Sequence, residues 1–143
     1  MTKFSEIYDT AIFKFQDYSF LNEIRDFKEA VLKRFLFSAI TDFLHNCPVD
    51  LLDYDEDEEV FNQDLDLEVK EILACGIAYY WLNSKTNDAR LLKNKLYSKD
   101  YVSYSPANLL KEIQSLRQSI KREYFGKLNK YSVRNGGIEN LRV

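Results

Sequence analysis

Apolar residues recur at helical spacing over a long run near the end of the chain. The run is Leu109, Ile113, Leu116, Ile120, Tyr124, Leu128 and Tyr131, in steps of three or four residues. Side chains at this spacing lie on one face of an α-helix, and the run covers about six turns. Ser105 before Pro106 is a typical helix start, because serine caps the first amide groups and proline fits the first helical position. The pattern predicts one long helix that ends near Gly136–Gly137.

Two earlier segments have the same periodicity. The first runs from Phe4 to Phe15, with apolar side chains on one face. The second runs from Glu23 to His45 and is apolar around much of its circumference, which predicts a central helix or one covered by a second subunit. We expect residues 16–23 to form a loop between the two.

The clearest helical pattern begins near Val69 and is expected to stop near Asn83–Ser84. A short continuation, capped by Asn87 or Asp88, would follow. We expect Asp64 or Asp66 to cap the start of this third helix. A glycine inside a helix is unfavourable relative to alanine, so Gly76 predicts the close approach of a neighbouring helix.

Length and composition set the fold class. The chain has 143 residues, 45% of them hydrophobic, with only 4 Gly and 2 Pro. That length suits one domain, and so few turn residues argue against an all-β sandwich. We therefore predict an all-α protein, a small helical bundle of about four helices with an acidic loop and an extended C-terminal arm. Residues 1–135 would form the single domain and residues 136–143 the arm.

Charge is distributed unevenly, although the net charge is only −3. Ten acids and no Lys or Arg lie between Asp50 and Glu68, whereas residues 111–143 have eight basic residues and three acids. Such blocks are either solvated surfaces or faces that associate head to tail or with a matched partner. On sequence alone a solvated surface is the simpler interpretation, because individual surface charges contribute little. We predict a mobile acidic loop without an apolar wall, with Asp53, Asp55, Glu56, Asp57, Glu58 and Glu59.

The end of the chain is the predicted partner-binding segment. Its aliphatic residues are unusual for a purely solvated tail, so we expect the arm to become ordered when it docks on a partner. The predicted partner-binding residues, all expected to be exposed, are Tyr131, Val133, Arg134, Ile138 and Leu141.

The sequence contains no recognisable catalytic constellation. The single histidine, His45, cannot supply a multi-histidine metal site, and neither Cys47 nor Cys75 lies at metal-ligand spacing with it. Phosphate-binding and serine-hydrolase glycine motifs are missing. Three alternate aspartates of the acidic loop fit the start of a calcium loop, but its glycine and final glutamate positions hold other residues. We predict a protein that is not an enzyme, without metal or cofactor.

The sequence gives no sign of a membrane or secretory segment. No apolar run is long enough to span a membrane, and MTKFSEIYDT lacks the apolar core of a signal peptide. With two cysteines and no disulfide framework, a reducing compartment is the simpler expectation.

Several segments in fixed order resemble the head–tail connector proteins of tailed phages and prophages of Gram-positive bacteria, also called adaptor or head-completion proteins. The residues that carry this resemblance are Glu71–Leu82, Leu91–Asn94, Lys99–Tyr101, Tyr104–Leu110, the opening Phe4–Phe15, and Tyr131 with its glycine-containing tail. The stretch Asp53–Glu59 departs from the family in being more acidic.

The resemblance implies a virion structural protein, assembled in the host cytoplasm and located in the neck of the virion. It implies a homo-oligomeric ring, with twelve subunits as the expected number, that binds the portal protein on one side and the next neck or tail component on the other. Double-stranded DNA would pass through the ring without specific binding, and the acidic loop would line this channel or face a neighbouring subunit. Two alternatives stay open: another neck component, such as a stopper or tail-completion protein, and an acidic interaction protein that mimics DNA.

Overall fold

A computed structural model describes residues 1–15, 28–46, 51–96 and 106–135. In these ranges the chain forms four α-helices and three strands of two residues each. They are β1 Thr2–Lys3, α1 Phe4–Phe13, α2 Glu29–Asn46, β2 Tyr54–Asp55, β3 Val60–Phe61, α3 Leu67–Leu96 and α4 Pro106–Asn135. The predicted all-α bundle of about four helices is confirmed.

Helix α3 lies at the centre of the bundle and packs against each of the other three helices. Its middle is apolar around the whole circumference, and Ile72, Leu73, Ala74, Cys75, Ile77 and Ala78 are all buried. Gly76 lies in the same stretch. A Cβ atom there would be 2.6 Å from Ala39 Cβ and 3.0 Å from the Tyr124 ring, so the predicted close approach is confirmed for both α2 and α4.

Several helix boundaries differ from the predictions. Helix α1 ends at Phe13 rather than at Phe15. Helix α2 begins at Glu29, after the non-helical Lys28, rather than at Glu23, and it ends at Asn46; residues 16–27 lie outside the described ranges. The prediction that α3 stops near Asn83–Ser84 was wrong, since the helix continues to Leu96. The Ser84 hydroxyl donates to the Trp81 carbonyl oxygen at 3.1 Å, and Arg117 donates to the Asn83 side chain. Both polar side chains are therefore accommodated without breaking the helix.

The starts of α3 and α4 agree with the sequence pattern. The Val69 amide donates to Asp66 Oδ1 at 2.9 Å, so Asp66 is the cap, whereas Asp64 accepts a hydrogen bond from the Met1 amino group. Helix α4 begins at Pro106 as predicted and runs without interruption to Asn135.

The prediction that the acidic loop lacks an apolar wall was wrong. Strands β2 and β3 form an antiparallel hairpin, and β1 pairs with the other side of β3, giving the order β1-β3-β2. Between the acids, Tyr54 and Phe61 turn inward, with ring centroids 5.9 Å and 5.0 Å from that of Phe4. Tyr54 also stacks on Phe37 of α2 at 5.5 Å. The aromatic residues of the acidic segment thus anchor it to the core.

Candidate functional site

The acidic segment is held as a defined surface, which we call the acidic hairpin (Asp53–Phe61). Asp55 Oδ1 accepts hydrogen bonds from the amides of Asp57 and Glu58 at 3.0 Å and 3.1 Å, which closes the turn. Glu59 then takes a positive φ of 56° and brings the chain back into β3. The acids from Asp53 to Glu58 are exposed, so the turn presents its carboxylates to solvent.

One lysine joins the acidic hairpin to the bundle. Lys33 of α2 forms ion pairs with Glu56 at 3.6 Å and Glu59 at 3.4 Å. Asp53 Oδ1 accepts a hydrogen bond from the Asn62 side chain at 2.8 Å. Asp57 and Glu58 form no ion pair with any described residue, so their charges are available to a partner.

A second surface lies where α3 begins and α4 ends. A groove of about 680 Å³, which we call the α4 groove, is lined by Glu68, Lys127, Asn129, Lys130, Val133 and Arg134. Val133 is 50% exposed there. Arg134 forms an ion pair with Glu68 across the two helices. The groove therefore combines one half-exposed aliphatic side chain, Val133, with mostly basic ones.

The structure separates the predicted partner-binding residues. Val133 and Arg134 line the α4 groove, whereas the prediction that Tyr131 is exposed was wrong. Tyr131 is only 5% exposed, with its ring centroid 5.2 Å from that of Phe43, because it continues the apolar face of α4. Ile138 and Leu141 lie outside the described residues.

The outward face of α4 contains a glycine that the sequence analysis did not single out. Gly126 lies well inside the helix, and apart from its chain neighbours and the adjoining backbone of α4 no described atom comes within 4 Å of the position that its Cβ would take. A glycine in a helix interior costs about 1 kcal/mol relative to alanine. Arg122 and Lys130, one turn before and after it, are exposed. The sequence signal was available, because Gly126 interrupts an otherwise regular helical pattern.

A charged cluster connects α1, α3 and α4 beside the α4 groove. Lys14 donates to Glu71, while Lys127 donates to Glu71 at 3.1 Å and to Glu123 at 2.9 Å. The buried Cys75 thiol lies 3.8 Å from Lys127 Nζ. The donor atoms of Glu71, Cys75 and Glu123 are close enough to one another to hold a metal ion. However, the ammonium groups of Lys14 and Lys127 already lie where a cation would bind, and they neutralise the carboxylates of Glu71 and Glu123.

The pKa values of this cluster follow from burial and pairing. Burial alone would raise the pKa of Glu71, but hydrogen bonds and charge from Lys14 and Lys127 bring it below its ordinary value. Burial raises the pKa of the Cys75 thiol to about 11. The thiol is therefore protonated at neutral pH, and the cluster is suited to holding three helices together rather than to nucleophilic chemistry.

A second polar group joins α2, α3 and α4. The Tyr124 hydroxyl donates to Asp42 Oδ2 at 2.9 Å, and the Tyr80 hydroxyl donates to the same oxygen. Burial and the Asp42 carboxylate raise the pKa of both tyrosines. Both hydroxyls thus remain hydrogen-bond donors at physiological pH, which indicates a structural role.

The Tyr8 hydroxyl is buried without a partner among the described residues.

Comparisons with protein-family models, with curated proteins and with solved structures found no match to this chain. Among the described residues, no helix combines the length and the apolar character needed to cross a bilayer.

Proposed function

We propose that this chain is a virion structural protein, a head–tail connector whose copies form a ring below the portal. The observation that carries the proposal is the placement of opposite charges on separate surfaces of one bundle. The acidic hairpin presents Asp55, Asp57 and Glu58 to solvent, whereas Lys130 and Arg134 lie at the α4 groove. The proposal also draws on the resemblance of the sequence to the connector family.

This placement of charge favours contacts between unlike surfaces. A contact between two acidic hairpins would be repulsive, whereas a contact between the acidic hairpin of one copy and the basic surface of another is attractive. Such a contact can pair twice in a reciprocal dimer, or it can repeat from copy to copy and form a ring if the rotation closes. We propose the ring because the sequence resembles the connector family.

The acidic hairpin is attached to the bundle at several points, which suits a component that transmits load between head and tail. Strand pairing with β1, the Phe4–Tyr54–Phe61 aromatic contacts and the Lys33 ion pairs each hold it to the bundle. Carboxylates that line a ring would also repel DNA phosphates and let the duplex pass without binding.

Native mass spectrometry of the purified chain, alone and mixed with portal rings from the same virus, tests the proposal. We expect a species with about a dozen copies on each portal ring, the number that a closed ring of this family would have. The double variant Asp57→Asn/Glu58→Gln should weaken loading. The matched control Asp9→Asn/Glu112→Gln, in which two exposed acids outside the hairpin are neutralised, should load like the wild type.

Two results would contradict the connector proposal and favour another function. A ring that ignores the portal but binds a tail-side component would favour a stopper or tail-completion protein. A monomer or dimer that ignores the portal and instead binds a DNA-binding enzyme through Asp53–Glu59 would favour the DNA-mimic alternative. The dense exposed carboxylates of the acidic hairpin are the observation behind that second candidate.

A further inference from the structure

We propose that the outward face of α4 around Gly126, with the adjoining α4 groove, is the seat for the acidic hairpin of a second copy of this chain. This inference rests on the proposed ring and adds to it a defined contact between neighbouring subunits. It depends on three independent features: an unexplained glycine, matched charges and exposed aliphatic residues.

The two helix-interior glycines have different surroundings. At Gly76 the chain itself supplies a reason, since Ala39 and Tyr124 leave no room for a Cβ atom. At Gly126 a side chain would meet open space, and no described residue explains the glycine. Glycine allows another backbone to come closer to a helix than any other residue does. A neighbouring molecule that packs on α4 at this point accounts for its presence.

The charges around Gly126 match those of the acidic hairpin. Arg122 and Lys130 lie one turn on either side of Gly126 on the exposed surface of α4, and neither forms an ion pair with a described residue. Across a subunit interface they would face Asp57 and Glu58, which are likewise exposed and unpaired within the described chain. Opposite charges arranged in this way guide association and fix the register of the contact.

Exposed aliphatic side chains lie beside both charged surfaces. Val133, which lines the α4 groove, is 50% exposed, and Leu52, immediately before the acidic hairpin, is 61% exposed. In a contact between copies the two side chains could bury each other, while the charged residues form the rim. An apolar centre with a charged rim is the usual composition of a specific interface.

The occupant must come from another molecule. Within one copy, the hairpin is committed to its own bundle by β1 pairing, by the Phe37–Tyr54 stack and by Lys33. Each copy nevertheless carries both the acidic hairpin and the α4 surface. A second copy of the chain is therefore the partner whose charges match this surface.

Complementary charge reversals test this contact. The α4 variant is Arg122→Glu/Lys130→Glu, and the hairpin variant is Asp57→Lys/Glu58→Lys. Each variant alone would set like charges against each other. In a mixture, the hairpin of either variant meets the α4 surface of the other, and opposite charges are restored in both contacts. The matched control Lys111→Glu/Lys121→Glu reverses two other exposed lysines of α4. All of these positions are exposed, so circular dichroism should show that each protein keeps its fold.

Association is measured by sedimentation velocity and by loading on portal rings. We expect each variant alone to associate at least about tenfold more weakly than the wild type, and an equimolar mixture to recover association to within about threefold. The control should match the wild type. Gly126→Gln, which adds a long side chain at an open position, should fold normally and lose association.

The outcomes separate this contact from the proposed function. If the wild type loads portal rings while both variants and Gly126→Gln load equally well, the contact is wrong and the connector function stands. If the mixture fails to recover what the single variants lose, the pairing of these two surfaces is also wrong. A wild-type chain that stays monomeric and does not bind the portal overturns the connector function and this contact together.

Discussion

At the scale of single residues, the two glycines give opposite predictions for the same substitution. Gly76→Ala should lower the free energy of unfolding by about 1–2 kcal/mol, because overpacking outweighs the gain in helix propensity. The added methyl would press on Ala39 Cβ and on a Tyr124 ring that its hydrogen bond to Asp42 holds in place. Gly126→Ala should instead raise the free energy of unfolding by up to about 1 kcal/mol.

Urea denaturation of the two variants measures the difference. The double variant Ala39→Gly/Gly76→Ala should recover part of the stability that Gly76→Ala loses, since it removes the closest methyl. A Gly76→Ala protein as stable as the wild type would contradict the close packing of α2 and α4 on α3.

Glu71 gives a prediction on the pH dependence of stability. Its pKa in the folded protein lies below the ordinary value of 4.5. The stabilisation that the ionised Glu71 carboxylate gives to the fold is therefore complete above pH 4.5, and it is lost as the pH falls through the pKa of the folded state. Glu71→Gln should lower the free energy of unfolding at neutral pH by about 1 kcal/mol, a modest effect because solvent screens the partly exposed pair. The difference from the wild type should shrink below pH 4.5.

Urea denaturation at neutral pH and in acid tests this, with the exposed Glu112→Gln as a control that should match the wild type at both. An undiminished difference in acid would show that Glu71 does not act through its charge.

The sequence alone could not predict this cluster. Lys14, Glu71 and Glu123 are far apart in the chain and meet only when three helices pack.

At the scale of elements, the turn of the acidic hairpin contains one residue in an unfavourable conformation. Glu59 has a φ of 56°, and a non-glycine residue in that region costs about 1–2 kcal/mol. Glu59→Gly should remove this cost while losing only an ion pair with Lys33 worth at most about 1 kcal/mol. The net expectation is a small rise in thermal stability, measured by circular dichroism.

Glu58→Gly is the matched control for this turn. Glu58 does not have a positive φ, so glycine there only adds freedom to the unfolded chain and should lower stability. If Glu58→Gly were the more stable of the two proteins, the described turn conformation would be wrong.

The elements themselves could be predicted to different degrees. Long apolar periodicity was enough for α1, α4 and the middle of α3, since each repeats over several turns. A helical continuation was predicted, but not that α3 would pass Asn83 and Ser84 without a break, because these side chains bond to α4 or locally in ways that no spacing reveals. Strands of two residues are too short for an alternating pattern, so the hairpin could not be predicted as such.

At the scale of the whole molecule, the uneven charge was visible in the sequence, but its arrangement as two surfaces was not. Asp53–Glu59 could be recognised as acidic, yet its anchoring depends on Phe4 and Phe37, which belong to distant segments. The burial of Tyr131 likewise depends on Phe43 of another helix. The chemical character of the candidate surfaces was therefore predictable, and their geometry required the packed bundle.

Folding and association of this molecule should respond differently to salt. The bundle is held by an apolar core, and most of its ion pairs are partly exposed and contribute little, so the thermal unfolding midpoint should change only slightly. Contacts between copies would depend on exposed opposite charges, whose interactions fall off over about 10 Å at 0.1 M salt and about 3 Å at 1 M. Sedimentation velocity across that range should show association weakening by more than about tenfold. If salt instead strengthened association while the midpoint stayed constant, burial of apolar side chains such as Val133 would be the main driving force, and the charge-matched contact would be wrong.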